Sequence, residues 1–160
     1  MRDIKDSEVR ILASISTTLQ VDYAADDLAW VGSPFAWIKT RPSRQVGVIG
    51  EKLVAGWLAA KGFDVTRSPD SEADRVVQGA RAEIKFSTLW KSGVYKFQQL
   101  RDQDYRFVIC LGVSPFDAHC WVIPKDVVLV HWGAGDGIES QHGGKKGGAS
   151  GFSVGPRVEL

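Results

Sequence analysis

Asp74, Glu83 and Lys85 are the residues whose types and spacing could do chemistry in this chain. Around them, Arg75 to Val77 and Ala80 to Phe86 alternate with the two-residue period of a β-strand, and Ala80, Ala82, Ile84 and Phe86 share one face. Gln78-Gly79 is a candidate two-residue turn, because glycine accepts a positive φ and such short loops match strand twist. Val77 then faces Ala80, and the register places Asp74 directly across from Glu83 with Lys85 on the same face. Carboxylates opposed at Cβ separations of about 5 Å are unfavourable. At an effective dielectric near 20 the repulsion is on the order of 3 kcal/mol at most. A divalent cation would offset it. Asp74 and Glu83 supply hard oxygen ligands, the Ile84 carbonyl could supply a third, and waters with a substrate phosphate would complete an octahedron around Mg²⁺. Lys85 would hold or polarise an attacking water and offset charge building on phosphorus. A solvated hairpin face with Lys85 paired to Glu72 explains the lysine but leaves Asp74 opposite Glu83 unexplained.

Asp74, eight intervening residues and then Glu83-Ile84-Lys85 resemble the catalytic signature of the PD-(D/E)xK nuclease superfamily. The resemblance covers roughly residues 44 to 125. It implies a restriction-endonuclease-like fold and a Mg²⁺-dependent DNA endonuclease, with Mn²⁺ as a substitute cation. It also implies metal binding by Asp74 and Glu83, water activation by Lys85, a supporting helix glutamate and a homodimer that cuts both strands. One departure is that the literal Pro-Asp dipeptide is Pro69-Asp70, whereas the position matching the metal-binding acid is Asp74, preceded by Ala73. Gly62 to Pro69 leading into the hairpin also resembles the Holliday-junction resolvase branch, where Ser71 could match a serine. The second half resembles uncharacterised restriction-endonuclease-like proteins of bacteria and phages, which favours a restriction-type enzyme. A structure-selective resolvase and a catalytically silent DNA-binding module are the alternatives.

The elements that must position these residues follow from periodicity. Ser43 is the expected N-cap of a helix running to Lys61-Gly62, with Val46, Ile49, Leu53, Trp57 and Ala60 as its buried stripe. Glu51 stands off that stripe near Gly47 and Gly50, whose missing side chains permit close approach. It is either an exposed helix glutamate or, as the resemblance implies, the supporting one. Lys39, Arg41 and Arg44 cluster before this helix, whose free N–H groups favour anions, and are candidate DNA contacts or a solvated basic loop. Upstream, Val9, Leu12, Ile15 and Leu19 predict a first helix capped by Asp6 or Ser7, and Tyr23 to Val31 a second. Phe35 to Ile38 reads as core packing or a dimer contact.

Phe63 to Arg67 predicts the first core strand. After the hairpin, Ser87 to Arg101 interleaves aromatic and basic residues and then takes helical spacing at Phe97 and Leu100. Lys91 and Lys96 are candidate DNA contacts in a groove that stacks or wedges bases, and Gln98 or Gln99 could position water or a phosphate. Tyr105 to Val113 and His119 to Ile123 predict two further strands, with Pro124 opening a short helix and His119 packing on its strand. From 133 to 151 eight of nineteen residues are glycine. This segment is expected to be a mobile loop that orders on DNA through Gln141, His142, Lys145 and Lys146, or a linker. It is not a P-loop, since Lys145 is followed by Lys146 rather than Ser or Thr.

Taken together, the expected fold is a single α/β domain over residues 1–160, with a mixed central β-sheet flanked by helices. Residues 1–42 form an N-terminal helical extension, 43–130 the catalytic core and 133–151 the glycine-rich loop. With 44% hydrophobic and 24% charged residues the composition is that of an ordinary globular chain. A net charge of +1 means that any nucleic-acid surface must come from local clustering of basic residues. Cys110 and Cys120 lie in apolar strands without zinc or disulfide spacing and read as reduced core residues of a cytoplasmic protein. No apolar run has signal-peptide character or membrane-spanning length.

Overall fold

The computed structural model of the protein describes residues 3–131, 139–141 and 149–154. The hairpin forms with the register that the alternation predicts: β2 (Arg75–Val77) lies antiparallel to β3 (Ala80–Thr88), with Val77 opposite Ala80 and Arg75 opposite Ala82. Gln78 and Gly79 both have positive φ, 51° and 79°, as a type I′ turn requires. Gln78 is held there by Asp64: its N–H donates to the Asp64 carbonyl at 2.9 Å, and its Oε1 accepts from the Asp64 N–H at 2.7 Å. The register stops one residue short of expectation. No ladder pair joins Asp74 to Glu83, and instead the Asp74 N–H donates to the Ala82 carbonyl at 3.0 Å.

Edge strand β1 (Val65–Arg67) pairs antiparallel with β2, β3 runs parallel to a strand at Phe107–Val113, and that strand pairs antiparallel with one at Ala118–Pro124. The crossover between the two parallel strands is itself a strand, β4 (Tyr95–Leu100), rather than the helical turn expected from Phe97 and Leu100. Tyr95 and Phe97 alternate into the core, and an irregularity between Phe97 and Leu100 turns Leu100 inward as well. A bulged strand thereby imitates helical spacing. The strands at Phe107–Val113 and Ala118–Pro124 are thus β5 and β6, and the five-stranded order is β1-β2-β3-β5-β6. A second sheet has the order β4-β8-β7, from β7 (Glu139–Gln141) and β8 (Ala149–Val154). Parts of the glycine-rich segment are therefore strand rather than loop, while His142, Lys145 and Lys146 lie outside the described residues.

Apolar layers cover both faces of the large sheet. One face joins Val77, Ala82, Ile84, Ile109, Leu111 and Val113 to Val54 of α2 (Ser43–Ala60). The other joins Val108 and Cys110 to Tyr95, Phe97, Leu100, Tyr105 and, from α3 (Lys125–His131), Val128. This is a mixed α/β sheet flanked by helices, as expected. Both cysteines are free, and Cys110 is buried.

Several helix details differ from the sequence reading. Pro42, without a side-chain cap, precedes α2, so Ser43 is its first residue and not its N-cap. The deepest positions on α2 are Gly50 and Val54, while Trp57 and Ala60 are exposed, because the close approach is made at Gly50. A Cβ at Gly50 would meet the Phe86 Cβ at 2.1 Å, whereas one at Gly47 would meet nothing within 4 Å. At the N-terminus a single helix, α1 (Ser7–Leu28), capped by the Asp6 carboxylate, replaces the two that were expected. Ile38 of the 3-10 helix Ala36–Thr40 is buried, in keeping with core packing there. No helix among the described residues is long and apolar enough to cross a membrane.

Gly50→Ala is expected to destabilise the protein by about 1–3 kcal/mol through overpacking against Phe86. Gly56→Ala, on the same helix with nothing within 4 Å, should instead stabilise by about 0.4–1 kcal/mol. Urea denaturation of the two variants checks the sign of each.

Candidate active site

Where β2 stops pairing, the Asp74 side chain takes over. Its Oδ2 accepts from the Ile84 N–H at 2.7 Å, the position a strand carbonyl would otherwise occupy. In an antiparallel ladder the N–H and C=O of one residue point to the same neighbour. The Ile84 carbonyl therefore points to the side of Asp74, beyond the last β2 pair. Glu83 and Lys85, two residues apart on β3, share the opposite sheet face from Ala82 and Ile84. They form an ion pair, Lys85 Nζ to Glu83 Oε1, at 3.0 Å. The Lys85–Glu72 pairing of the alternative, solvated-face reading does not occur. Glu72 instead accepts from the Asp104 N–H at 3.1 Å.

The surroundings of the pair are apolar. Glu83 sits beside Val108 and Lys85 beside Cys110 across the parallel β3–β5 register, and only 8% of Glu83 is exposed. Burial pushes the Glu83 carboxyl above its ordinary value; Lys85 opposes that shift and the nearby Asp74 charge adds to it. Tyr105 is pushed up to about 12, chiefly by burial and then by Glu83. The Tyr105 hydroxyl donates to the Arg101 carbonyl at 2.8 Å, and Lys125 Nζ lies 5.0 Å from its ring.

Glu51 reaches the same place from α2. Its Oε1 is 2.7 Å from Arg75 Nη1, and its carboxyl is raised first by burial and next by Asp74. Asp74, Glu51 and Arg75 border a cavity of about 300 Å³ together with Arg67 and Lys52. Glu83 and Lys85 are not in its wall, so Asp74 belongs both to the open cavity and to the buried pair. Arg67 and Arg75 are direct cross-strand partners, a like-charge pair that the Glu51 carboxylate partly offsets. Sequence reasoning missed these two arginines. The connection 68–74 does not set the β1–β2 register, so their pairing was not legible in the sequence.

Oxygen donors that could hold a divalent cation are the Asp74 and Glu83 carboxylates and the Ile84 carbonyl, a hard set suited to Mg²⁺ or Ca²⁺ rather than zinc. Burial and the nearby Asp74 charge both disfavour the ionised Glu83, and Lys85 only partly offsets them, so a further cation would be accommodated here. Among the described residues no group of three or more His, Cys, Asp or Glu side chains is arranged for a metal, so two carboxylates are what the side chains provide. The literal Pro-Asp residue, Asp70, also lines the cavity at Asp74, but its carboxylate is taken up in a two-pronged pair with Arg81 at 2.8 and 3.0 Å.

Other candidates fall outside this group. Gln98 lies on β4, with no hydrogen bond or ion pair to Asp74, Glu83 or Lys85 among the described residues. Arg44 is exposed in the first turn of α2, and Arg41 stacks 5.9 Å from the Trp37 ring centroid. Lys39, Lys91 and Lys96 gather at a different cavity beyond the end of β3. Gln141 is in β7. His119 packs on its strand as expected, with Nδ1 3.0 Å from the Tyr95 hydroxyl.

No protein-family model matches the chain, and no curated protein matches it. A solved structure of a bacterial homing endonuclease is similar to it, with a TM-score of 0.48 and 17% sequence identity, over 74% of this chain and 80% of that one. Similarity at that level says nothing about chemistry, which rests on the side chains.

Glu51 and Glu83 hold their protons more tightly folded than unfolded, so above the ordinary value of 4.5 the folded chain binds more protons than the unfolded one. Their contribution to stability therefore falls as pH rises from about 4.5 toward neutrality. Urea midpoints measured in EDTA across that window should show a shallower decline for Glu83→Gln than for the wild type. Adding a divalent cation at neutral pH should raise the wild-type midpoint and leave that of Glu83→Gln nearly unchanged.

Proposed function

We propose that the chain is a Mg²⁺-dependent DNA endonuclease of the PD-(D/E)xK kind, most simply of restriction type. The observation that carries this reading is the convergence of Asp74, Glu83, Lys85 and the Ile84 main chain at the point where β2 leaves β3. Binding-only surfaces have no use for two acids crowded into an apolar setting beside a lysine. The facing arginines Arg67 and Arg75, with Lys52, support an anionic substrate at the same cavity.

When bound, Mg²⁺ would supply Lewis acidity toward a phosphoryl oxygen and acidify water. The rest falls to the chain. Asp74, just before β2, and Glu83, on β3, orient the site through fixed backbone positions. Lys85, paired with Glu83 at 3.0 Å, would position the attacking water and offset charge on phosphorus. Arg67 and Arg75 hold the phosphodiester in line, and Glu51 steers Arg75. Mn²⁺ is expected to replace Mg²⁺ as a hard cation.

Cutting both strands of a duplex calls for two such sites, and a second copy of the chain is the partner we propose. α1 supports this. Leu12, Ile15, Leu19, Tyr23 and Leu28 are all half exposed or more, and α1 packs against no other element to a significant extent. Light scattering should give twice 17.5 kDa, and Leu12→Asp with Leu19→Asp should return the mass to that of one chain.

Cleavage of supercoiled plasmids and a synthetic four-way junction, with Mg²⁺ or EDTA, tests the activity. Discrete Mg²⁺-dependent plasmid products, reduced by roughly 10²-fold or more in Glu83→Ala and Lys85→Ala, are expected. Cutting confined to the junction would favour a resolvase, and DNA binding without cleavage in any divalent cation would overturn the enzymatic reading.

A further inference from the structure

β3 continues past Lys85 for three residues to Thr88 and runs straight into a second cavity, of about 460 Å³, bordered by Trp30, Lys39, Thr88, Trp90 and Lys91. Its wall joins four segments that are far apart in sequence: the end of α1, the 3-10 helix, the β3–β4 turn and Pro115 of the β5–β6 turn. Unlike the cavity at Asp74, it has no carboxylate in its wall among the described residues.

Two lysine–indole pairs build it. Lys39 Nζ lies 4.7 Å from the Trp30 ring centroid, and Lys96 Nζ lies 3.9 Å from that of Trp90. Trp30 is only 7% exposed and forms a fixed wall, whereas Trp90 is 46% exposed. The Trp90 platform is pre-formed. Its N–H donates to the Val94 carbonyl and its own carbonyl accepts from the Gly93 N–H, both at 2.9 Å, and Gly93 adopts a φ of 82° open to glycine. Lys96 is anchored by its N–H to Ser87 Oγ at 3.0 Å. Lys96 covers one face of the Trp90 ring, and a large aromatic held half in water with cations beside it is an arrangement that stacks a base and neutralises its phosphate.

We propose that this cavity is a subsite for one unpaired nucleotide, its base stacked on Trp90 and its phosphate held by Lys39 and Lys91. Bases inside a duplex have no free face to offer, so the occupant is a single-stranded or extruded nucleotide. The volume lies within the range of small-ligand sites, about 300–1,000 Å³, and suits one nucleotide. Three residues of β3 span about 10 Å, or about three steps of stacked strand at 3.4 Å each. The subsite would thus engage the strand a few nucleotides from the phosphate at Asp74. The proposal rests on the nuclease reading for that spacing, but the binding it predicts does not need cleavage.

Fluorescence anisotropy in EDTA, with a labelled oligothymidine, a duplex with a short single-stranded overhang and a blunt duplex, tests it on the full chain. Trp90→Ala should weaken oligothymidine and overhang binding about tenfold or more while changing blunt-duplex affinity less than twofold, and Trp90→Phe should recover most of the loss. Lys39→Gln should lower the salt dependence of oligothymidine binding by about 0.7 in the log–log slope. Equal oligothymidine affinity for wild type and Trp90→Ala, with both folded by circular dichroism, would overturn the subsite. Plasmid cleavage by a wild-type protein that does not bind oligothymidine would overturn the subsite and leave the nuclease reading intact. Trp90-dependent binding without any cleavage would do the reverse.

Discussion

One hydrogen bond organises the centre of this molecule. The Asp74 carboxylate accepts from the Ile84 N–H at 2.7 Å and so ends the β2–β3 ladder with a side chain in place of a strand. Had the ladder run two pairs further, to Ala73 opposite Ile84, the Ile84 N–H and carbonyl would have been spent on the neighbouring strand. Ending at Arg75 leaves a notch in the sheet whose walls are acidic and whose floor is main chain. Neither carboxylate can move far, because Asp74 is tethered to β3 and Glu83 is buried on it. Crowded charge that cannot relax is what a cation-binding position requires.

The packing of α2 sets the notch's second wall. Gly50 lets the helix lie against Phe86 at a distance that no larger residue allows, and Glu51, the next residue, arrives at Arg75 and Asp74 in consequence. On the opposite face, a Cβ at Gly112 would meet the Tyr95 ring at 2.6 Å, so β4 is seated on β5 by the same device. Two glycines thus fix how closely the layers approach on either side of β3. The acids are held between layers rather than on loops, which keeps a site of this kind rigid.

Much of this was legible in the sequence where local periodicity governs structure. The Gln78-Gly79 turn, the register from Val77 to Ala82 and the apolar strands at Phe107–Val113 and Ala118–Pro124 follow from alternation and turn chemistry alone. The ladder's early end did not, because it depends on a side chain outcompeting a strand for one N–H. β4 was read as helical because a bulge between Phe97 and Leu100 mimics a three-residue repeat. The helix stripe was misread by about one position because Trp57 is apolar yet exposed, stacked at 5.8 Å from the Lys61 ammonium. Tertiary convergence was the least visible level. Nothing local joins Trp30 to Trp90, or Arg67 to Glu51.

Charge is distributed along β3 in a way that its net value of +1 conceals. Screening limits the reach of surface charges to about 8 Å at physiological ionic strength, so a polyanion responds to clusters and not to the total. Arg67, Arg75 and Lys52 stand at one cavity together with Glu51, Asp70 and Asp74, Lys39 and Lys91 stand at the other, and Glu83 lies on the strand between the two. A backbone of phosphates drawn to these cations would meet the acids at the first cavity, where bare carboxylates would repel it. On the proposed nuclease reading, metal and substrate would be interdependent: the cation would remove the repulsion that keeps phosphate out, and the phosphate would supply ligands that two carboxylates and a carbonyl leave unfilled. Nucleic acid would then be engaged at the flanks without metal, and the central phosphate only with the cation in place.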